Sequence, residues 1–235
     1  GTKGSYRGTI GTSAGEPTVA TVQYSNDVRQ KALRGAENNM TEIPILYQPV
    51  SAFCDSSGNT WLVAERQSVN TLSSGLYEYY FGSMIVSKMN ADGTAGYQSF
   101  ISKSQFYRQM GIPVVIPVPM FSLLFFANVK RETRQYLSHT ALFKDGELYL
   151  LFNDNPSNEH RKDTRENLMD PFESLPVMVR IASDGTYQYS MHQELSDGET
   201  IVHFKHSLRS DDFDGIYFMS STRKGIEKIG MLKLQ

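Results

Sequence analysis

Glu65-Arg66 and Asn153-Asp154 are the two residue pairs of this chain whose types and placement suit chemistry. Each closes an apolar run, Trp61-Leu62-Val63-Ala64 before the first and Leu148-Tyr149-Leu150-Leu151-Phe152 before the second. Two carboxylates brought to one mouth can serve as general acid and general base, as in glycoside hydrolysis. With an arginine and an amide beside them, the same groups can instead hold a ligand by hydrogen bonds. Strand ends are also polar simply because water reaches them. Glu65, Arg66, Asn153 and Asp154 are therefore ligand-binding candidates, and no residue is assigned a catalytic role.

Other chemistries find less support. Ser210-Asp211-Asp212-Phe213-Asp214-Gly215 has the acids of a calcium loop, but the spacing would need Glu where Ser221 stands. His203 and His206 lie in one predicted strand, where a separation of three puts them on opposite faces. No metal site and no cofactor is expected. There is no Walker loop, no nucleotide-binding glycine motif and no G-x-S-x-G elbow. The basic clusters Lys130-Arg131…Arg134 and His160-Arg161-Lys162…Arg165 sit beside acids and read as solvated loops.

The elements that must position these residues are written as a repeat. Asp55–Leu62 (D-S-S-G-N-T-W-L) and Asp145–Leu150 (D-G-E-L-Y-L) align 88 positions apart when Gly58 is laid on Gly146. A second shared phrase follows, V-S-K-M-N-A-D-G-T at Val86–Thr94 and M-V-R-I-A-S-D-G-T at Met178–Thr186. Asp-Gly supplies the positive φ of a tight hairpin turn. Three units result, at about 49–101, 137–192 and 201–234, within one all-β domain covering 1–235. The first unit reads as four strands: Pro49–Cys54, Thr60–Glu65, Tyr77–Met89 and Ala95–Ile101. The second runs Leu137–Phe143, Leu148–Phe152, Val177–Ile181 and Tyr187–His192. The third has three strands, Ile201–Ser207, Ile216–Ser220 and Glu227–Leu234.

Before the repeats, Tyr6–Thr12 and Pro17–Tyr24 read as strands and Asn26–Arg34 as a helix capped by Asn26. The inner strands are continuous apolar runs, which implies burial on both faces. Small antiparallel sheets stacked face to face give that pattern. The fold class is therefore an all-β, propeller-like stack of small antiparallel sheets with one or two short helices, and a β-sandwich is the alternative. Trp61 and Tyr149 align and are expected to be buried. The third unit lacks a strand, and Pro17–Tyr24 is expected to close it by pairing with that unit.

Tyr79–Gly93, Ile101-Ser102-Lys103-Ser104-Gln105 and Ser138–Asn155 together resemble a family of uncharacterised, propeller-like proteins of Bacteroides-type bacteria. The family pattern is a Y-Y-hydrophobic strand, a K-x-N-x-D-G turn and an I-x-K-x-Q ending, and the match spans roughly residues 50–155. The resemblance implies a propeller-like fold and export, hence a periplasmic or envelope location. It implies no catalytic residue. Asp55–Trp61 also resembles the Asp-box of sialidase-type propellers (S-x-D-x-G-x-T-W), with Phe53 in place of the serine and one extra residue before Gly58. That box is a hairpin-folding device, so it argues for a blade rather than a glycosidase.

Composition bounds the remaining options. The net charge of −2 from 23 Lys and Arg against 25 Asp and Glu gives no global pull toward nucleic acid. Cys54 is alone, so no intrachain disulfide forms. The chain opens Gly-Thr-Lys-Gly-Ser, so a signal peptide is expected to have been removed or never to have existed. The apolar stretch Ile112–Ala127 is short for a bilayer and broken by Pro113, Pro117 and Pro119, so no transmembrane segment is expected. Its first part, Gly111–Pro119, reads as an extended segment at a sheet edge or unit boundary. Together these features suit a non-catalytic binding module for a small molecule, glycan, peptide or protein, with a homo-oligomer compatible. A hydrolase relying on Glu65 and Asp154 is the alternative.

Overall fold

The computed structural model describes residues 4–9, 18–34, 47–72, 76–110, 137–160, 165–168, 170–195, 198–209 and 215–233. Gly111–Pro119, the acids Asp211, Asp212 and Asp214, and the cluster Lys130-Arg131…Arg134 lie outside them.

The described chain is all-β, built of small antiparallel sheets. The first is β3 (Tyr47–Cys54), β4 (Thr60–Thr71), β5 (Leu76–Met89) and β6 (Ala95–Ile101), paired in chain order. The second is β8 (Thr140–Lys144), β9 (Glu147–Asp154), β10 (Leu175–Ile181) and β11 (Tyr187–Met191), again in chain order. The third is β12 (Thr200–Arg209), β13 (Gly215–Thr222) and β14 (Glu227–Lys233). Between the first two lies β7 (Gln105–Met110), which pairs with the first half of β5 while β6 pairs with the second half. The first unit thus has five strands where the sequence suggests four. β5 is long enough to take two partners on one edge, and the pairs Glu78–Arg108 (2.7 Å) and Tyr79–Tyr107 seat β7 there.

The repeat is real at the level of single hydrogen bonds. In the first sheet Asn90 N–H donates to Thr94 C=O, Gly93 N–H to Asn90 C=O and Thr94 N–H to Asp92 Oδ1. In the second, Ala182, Gly185, Thr186 and Asp184 make the same three bonds at the same positions. Gly93 and Gly185 have φ of 84° and 88°, which a side chain rarely tolerates. The second turn docks on the first sheet, where Ser99 Oγ donates to Gly185 C=O at 2.8 Å.

Face-to-face packing follows chain order. Val63, Met84, Val86 and Ile101 of the first sheet meet Leu148, Leu150, Phe152, Val177, Val179 and Ile181 of the second. The opposite face of the second sheet, with Leu142, Tyr149 and Leu151, meets Val202, Phe204 and Ile216 of the third. Trp61 and Tyr149 are both buried, as expected, and each faces the next sheet in the chain. Trp61 donates to Tyr97 OH at 2.9 Å and packs on Phe143 of the second sheet, ring centroids 4.4 Å apart.

The far face of the first sheet is covered by α1 (Asn26–Arg34), whose Val28 and Ala32 meet Tyr47, Ala64 and Ile85. The helix falls where the sequence places it, but Ser25 caps it rather than Asn26. The Ser25 hydroxyl accepts from Val28 N–H at 3.4 Å and its carbonyl takes the Arg29 N–H.

The expected closure by the N-terminus does not occur. β1 (Gly4–Thr9) and β2 (Thr18–Gln23) pair with each other in a two-stranded sheet, and neither adds to the third sheet among the described residues. A hairpin closes a short loop, whereas pairing with the third sheet would close nearly the whole chain, so local pairing is entropically favoured.

Candidate functional site

Strand alternation distributes the four candidate residues among three separate spaces. Glu65 shares a row of β4 with Trp61 and Val63 and points toward the second sheet. Asp154 shares a row of β9 with Leu148, Leu150 and Phe152 and points back toward the first. The two carboxylates therefore enter the same interlayer from opposite sides. Asn153 faces the third sheet, where its amide donates to Val202 C=O at 2.7 Å. Arg66 lies on the other face of the first sheet, with its guanidinium over the Tyr80 ring at 5.3 Å. Glu65, Asn153 and Asp154 are fully buried and Arg66 is half-buried, so the four do not form one open mouth.

Glu65 is the centre of a buried polar cluster. A register shift after Glu65 in the β4–β5 ladder turns the strand there. Lys103, also fully buried, pairs with Glu65 Oε1, and His139 Nδ1 lies 3.3 Å from the same oxygen. The other oxygen accepts from Ser138 Oγ at 2.6 Å and from the Gln67 amide at 2.7 Å. Gln105 links the parts. Its amide oxygen accepts from Lys103 at 3.1 Å and from Ser138 N–H at 2.8 Å, and its nitrogen donates to Asn153 C=O at 2.6 Å. Ser138 has a φ of 75°, unusual for a residue with a side chain, and these bonds hold it there. Burial raises the Glu65 pKa, but Lys103 and His139 together outweigh it and keep the carboxyl well below its usual range. Burial likewise depresses Lys103, opposed by Glu65.

Asp154 organises the loop that follows β9. It accepts from Tyr189 OH and the Asn158 amide, both at 2.8 Å, and from Asn155 N–H at 2.9 Å, with Arg165 Nη1 at 3.4 Å. Its pKa is raised because burial outweighs these donors. Asn158 in turn clamps Glu166 through N–H to Oδ1 at 2.7 Å and Nδ2 to C=O at 2.8 Å. Leu168 forms a parallel bridge to Gln105, so the returning chain is fastened to the first sheet as well.

Above this fastened loop lies a pocket of about 570 Å³, lined by Asn155, Ser157, Glu166, Asn167, Asp170 and Glu173 among others. It lies next to Asp154 along the chain and offers carboxylates, amides and a hydroxyl to solvent. Among the described residues no group of three His, Cys, Asp or Glu could hold a metal ion.

The sequence reading selects Glu65 and Asp154 but passes over Lys103, Gln105, Ser138, His139 and the pocket loop. Lys103-Ser104-Gln105 stands out only as part of a phrase, because a lysine at a strand end ordinarily reads as exposed. The chain matches no protein-family model, no curated protein and no solved structure.

Proposed function

We propose that this protein is a non-catalytic, propeller-like binding module of an exported bacterial protein, working in the periplasm or at the cell envelope. Its ligand site is the pocket at the end of β9. The observation that carries this reading is the contrast between pocket and carboxylates. The pocket exposes hydrogen-bonding side chains on a wall fixed by Asn158 and Asp154. Glu65 and Asp154 are buried and occupied by their own partners. A substrate would have to displace those partners before either acid could serve as proton donor or base.

A glycan fits the lining best, since Asn155, Ser157, Asn167 and Glu173 offer acceptors and amides of the kind that sugar hydroxyls pair with. A basic peptide would meet the same acceptors without using the amide donors. The test is calorimetric titration with neutral oligosaccharides and with a lysine-rich peptide, on the native protein and on Ser157→Ala/Glu173→Gln. Both of those residues are exposed, so the variant should keep its melting temperature. Saturable oligosaccharide binding lost in the variant supports the proposal. Preference for the peptide overturns the glycan assignment, and turnover of any oligosaccharide overturns the non-catalytic reading.

A further inference from the structure

β14 is an edge strand of the third sheet, with no strand paired on its outer side among the described residues, since the order is β12-β13-β14. Its ladder phase follows from the turn that begins it. Thr222 N–H donates to Ile226 C=O at 3.0 Å, so pairs across β13 and β14 alternate from there. Ile226, Lys228, Gly230 and Leu232 direct their backbone groups to β13. Glu227, Ile229, Met231 and Lys233 direct theirs to the open edge. The side chains of these four residues all lie on the outer face of the sheet, and all four are exposed.

That face is apolar, and no described element covers it. Ile229 is 80% exposed, Met231 45% and Tyr217 44%, and Tyr217 and Met219 are the cross-strand neighbours of Met231 and Ile229. The corresponding end of the stack, the far face of the first sheet, is covered by α1.

An incoming antiparallel strand must present residues whose backbone groups also point outward. For a second copy of β14 related by a two-fold axis, this permits only registers that match odd-numbered residues. The register centred on Gly230 sets Glu227 against Lys233 and Ile229 against Met231, each twice. Centring on Ile229 sets Glu227 against Met231, and centring on Met231 sets Lys233 against Ile229. One permitted register therefore satisfies both charges and both apolar residues. Gly230 at the axis carries no side chain to obstruct its symmetry mate.

We propose that β14 pairs antiparallel with β14 of a second copy about a two-fold axis at Gly230, joining two third sheets into one of six strands. The interface is isologous, as is usual for homodimers. Charged residues on an edge ordinarily discourage pairing; here they select one register and one partner.

The test is mass determination by sedimentation equilibrium over a concentration series, applied to the native chain, Glu227→Lys, Lys233→Glu and the double reversal. The native chain should form a dimer. Each single reversal places like charges opposite one another at two symmetric positions and should weaken dimerisation by about tenfold or more. The double reversal restores opposite charges and should restore the dimer, while pairing poorly with the native chain. Both side chains are exposed, so circular dichroism should report unchanged folding in all variants. A native chain that stays monomeric at every concentration overturns the proposal, as does a dimer indifferent to the single reversals or one the double reversal fails to rescue.

Discussion

Glu65 and Asp154 enter one interlayer from facing sheets, both fully buried, yet they are held in opposite ways. Glu65 has a buried ammonium against one oxygen and neutral donors on the other, and its pKa falls. Asp154 has a phenol, an amide and a backbone N–H in contact, with its guanidinium farther off at 3.4 Å, and its pKa rises. Burial acts alike on both. The difference lies in the cations beside each group: Lys103 and His139 both act on Glu65 and outweigh its burial, whereas Arg165 alone at 3.4 Å does not outweigh the burial of Asp154.

The largest expected effect comes from breaking the first arrangement. Lys103→Met leaves Glu65 ionisable and buried without its ammonium, with only His139 beside it, and should lower unfolding free energy in urea by about 3–5 kcal/mol. Adding Glu65→Leu should recover much of that loss. If the double variant is no more stable than the single one, Lys103 contributes through its cation–π contacts with Phe81 and Phe152 rather than through Glu65.

Arg165→Met is the matched change on the other side and should cost less, about 1–2 kcal/mol. Tyr189, Asn158 and the backbone still occupy Asp154, and its carboxyl can take up a proton. A loss as large as that of Lys103→Met would mean that the two carboxylates are held alike after all.

The smallest effect is also the most direct test of sign. The Glu65 pKa lies below its unfolded value near 4.5, so the unfolded state binds more protons below about that pH. The stability Glu65 contributes is present above pH 4.5 and declines as pH falls toward its folded pKa. The Asp154 pKa lies above its unfolded value near 3.8, so the native state binds more protons in the window above it. Stability from that group increases as pH falls through the window. Urea unfolding across pH for the native chain, Glu65→Gln and Asp154→Asn should therefore show differences from native of opposite slope. Slopes of the same sign would remove the contrast.

Much of the fold is legible because its signals are local. Gly93 and Gly185 need a positive φ wherever they occur, and Asp92 and Asp184 bond to a threonine two residues on, so the shared phrase carries the shared turn. Trp61 and Tyr149 sit in apolar runs too continuous for an exposed strand, and burial follows. The helix at Asn26–Arg34 lies where its composition puts it, with its cap one residue earlier.

The site is less legible because its signals are pairwise and distant. Glu65 meets Lys103, 38 residues away, and Ser138, 73 residues away. Whether a lysine at a strand end is buried depends on which sheet lies over it. The partner of β2 was equally open, since an unpaired edge offers the same backbone groups to any strand, and the nearer one took it.

The sequence alone determined the turns, the apolar faces and the three-part plan, because backbone sterics and side-chain alternation act over a few residues. Only the tertiary structure decided that Glu65 keeps its charge while Asp154 resists ionisation. That outcome rests on distances of a few ångströms between groups far apart in the chain, set by how one sheet stacks on the next.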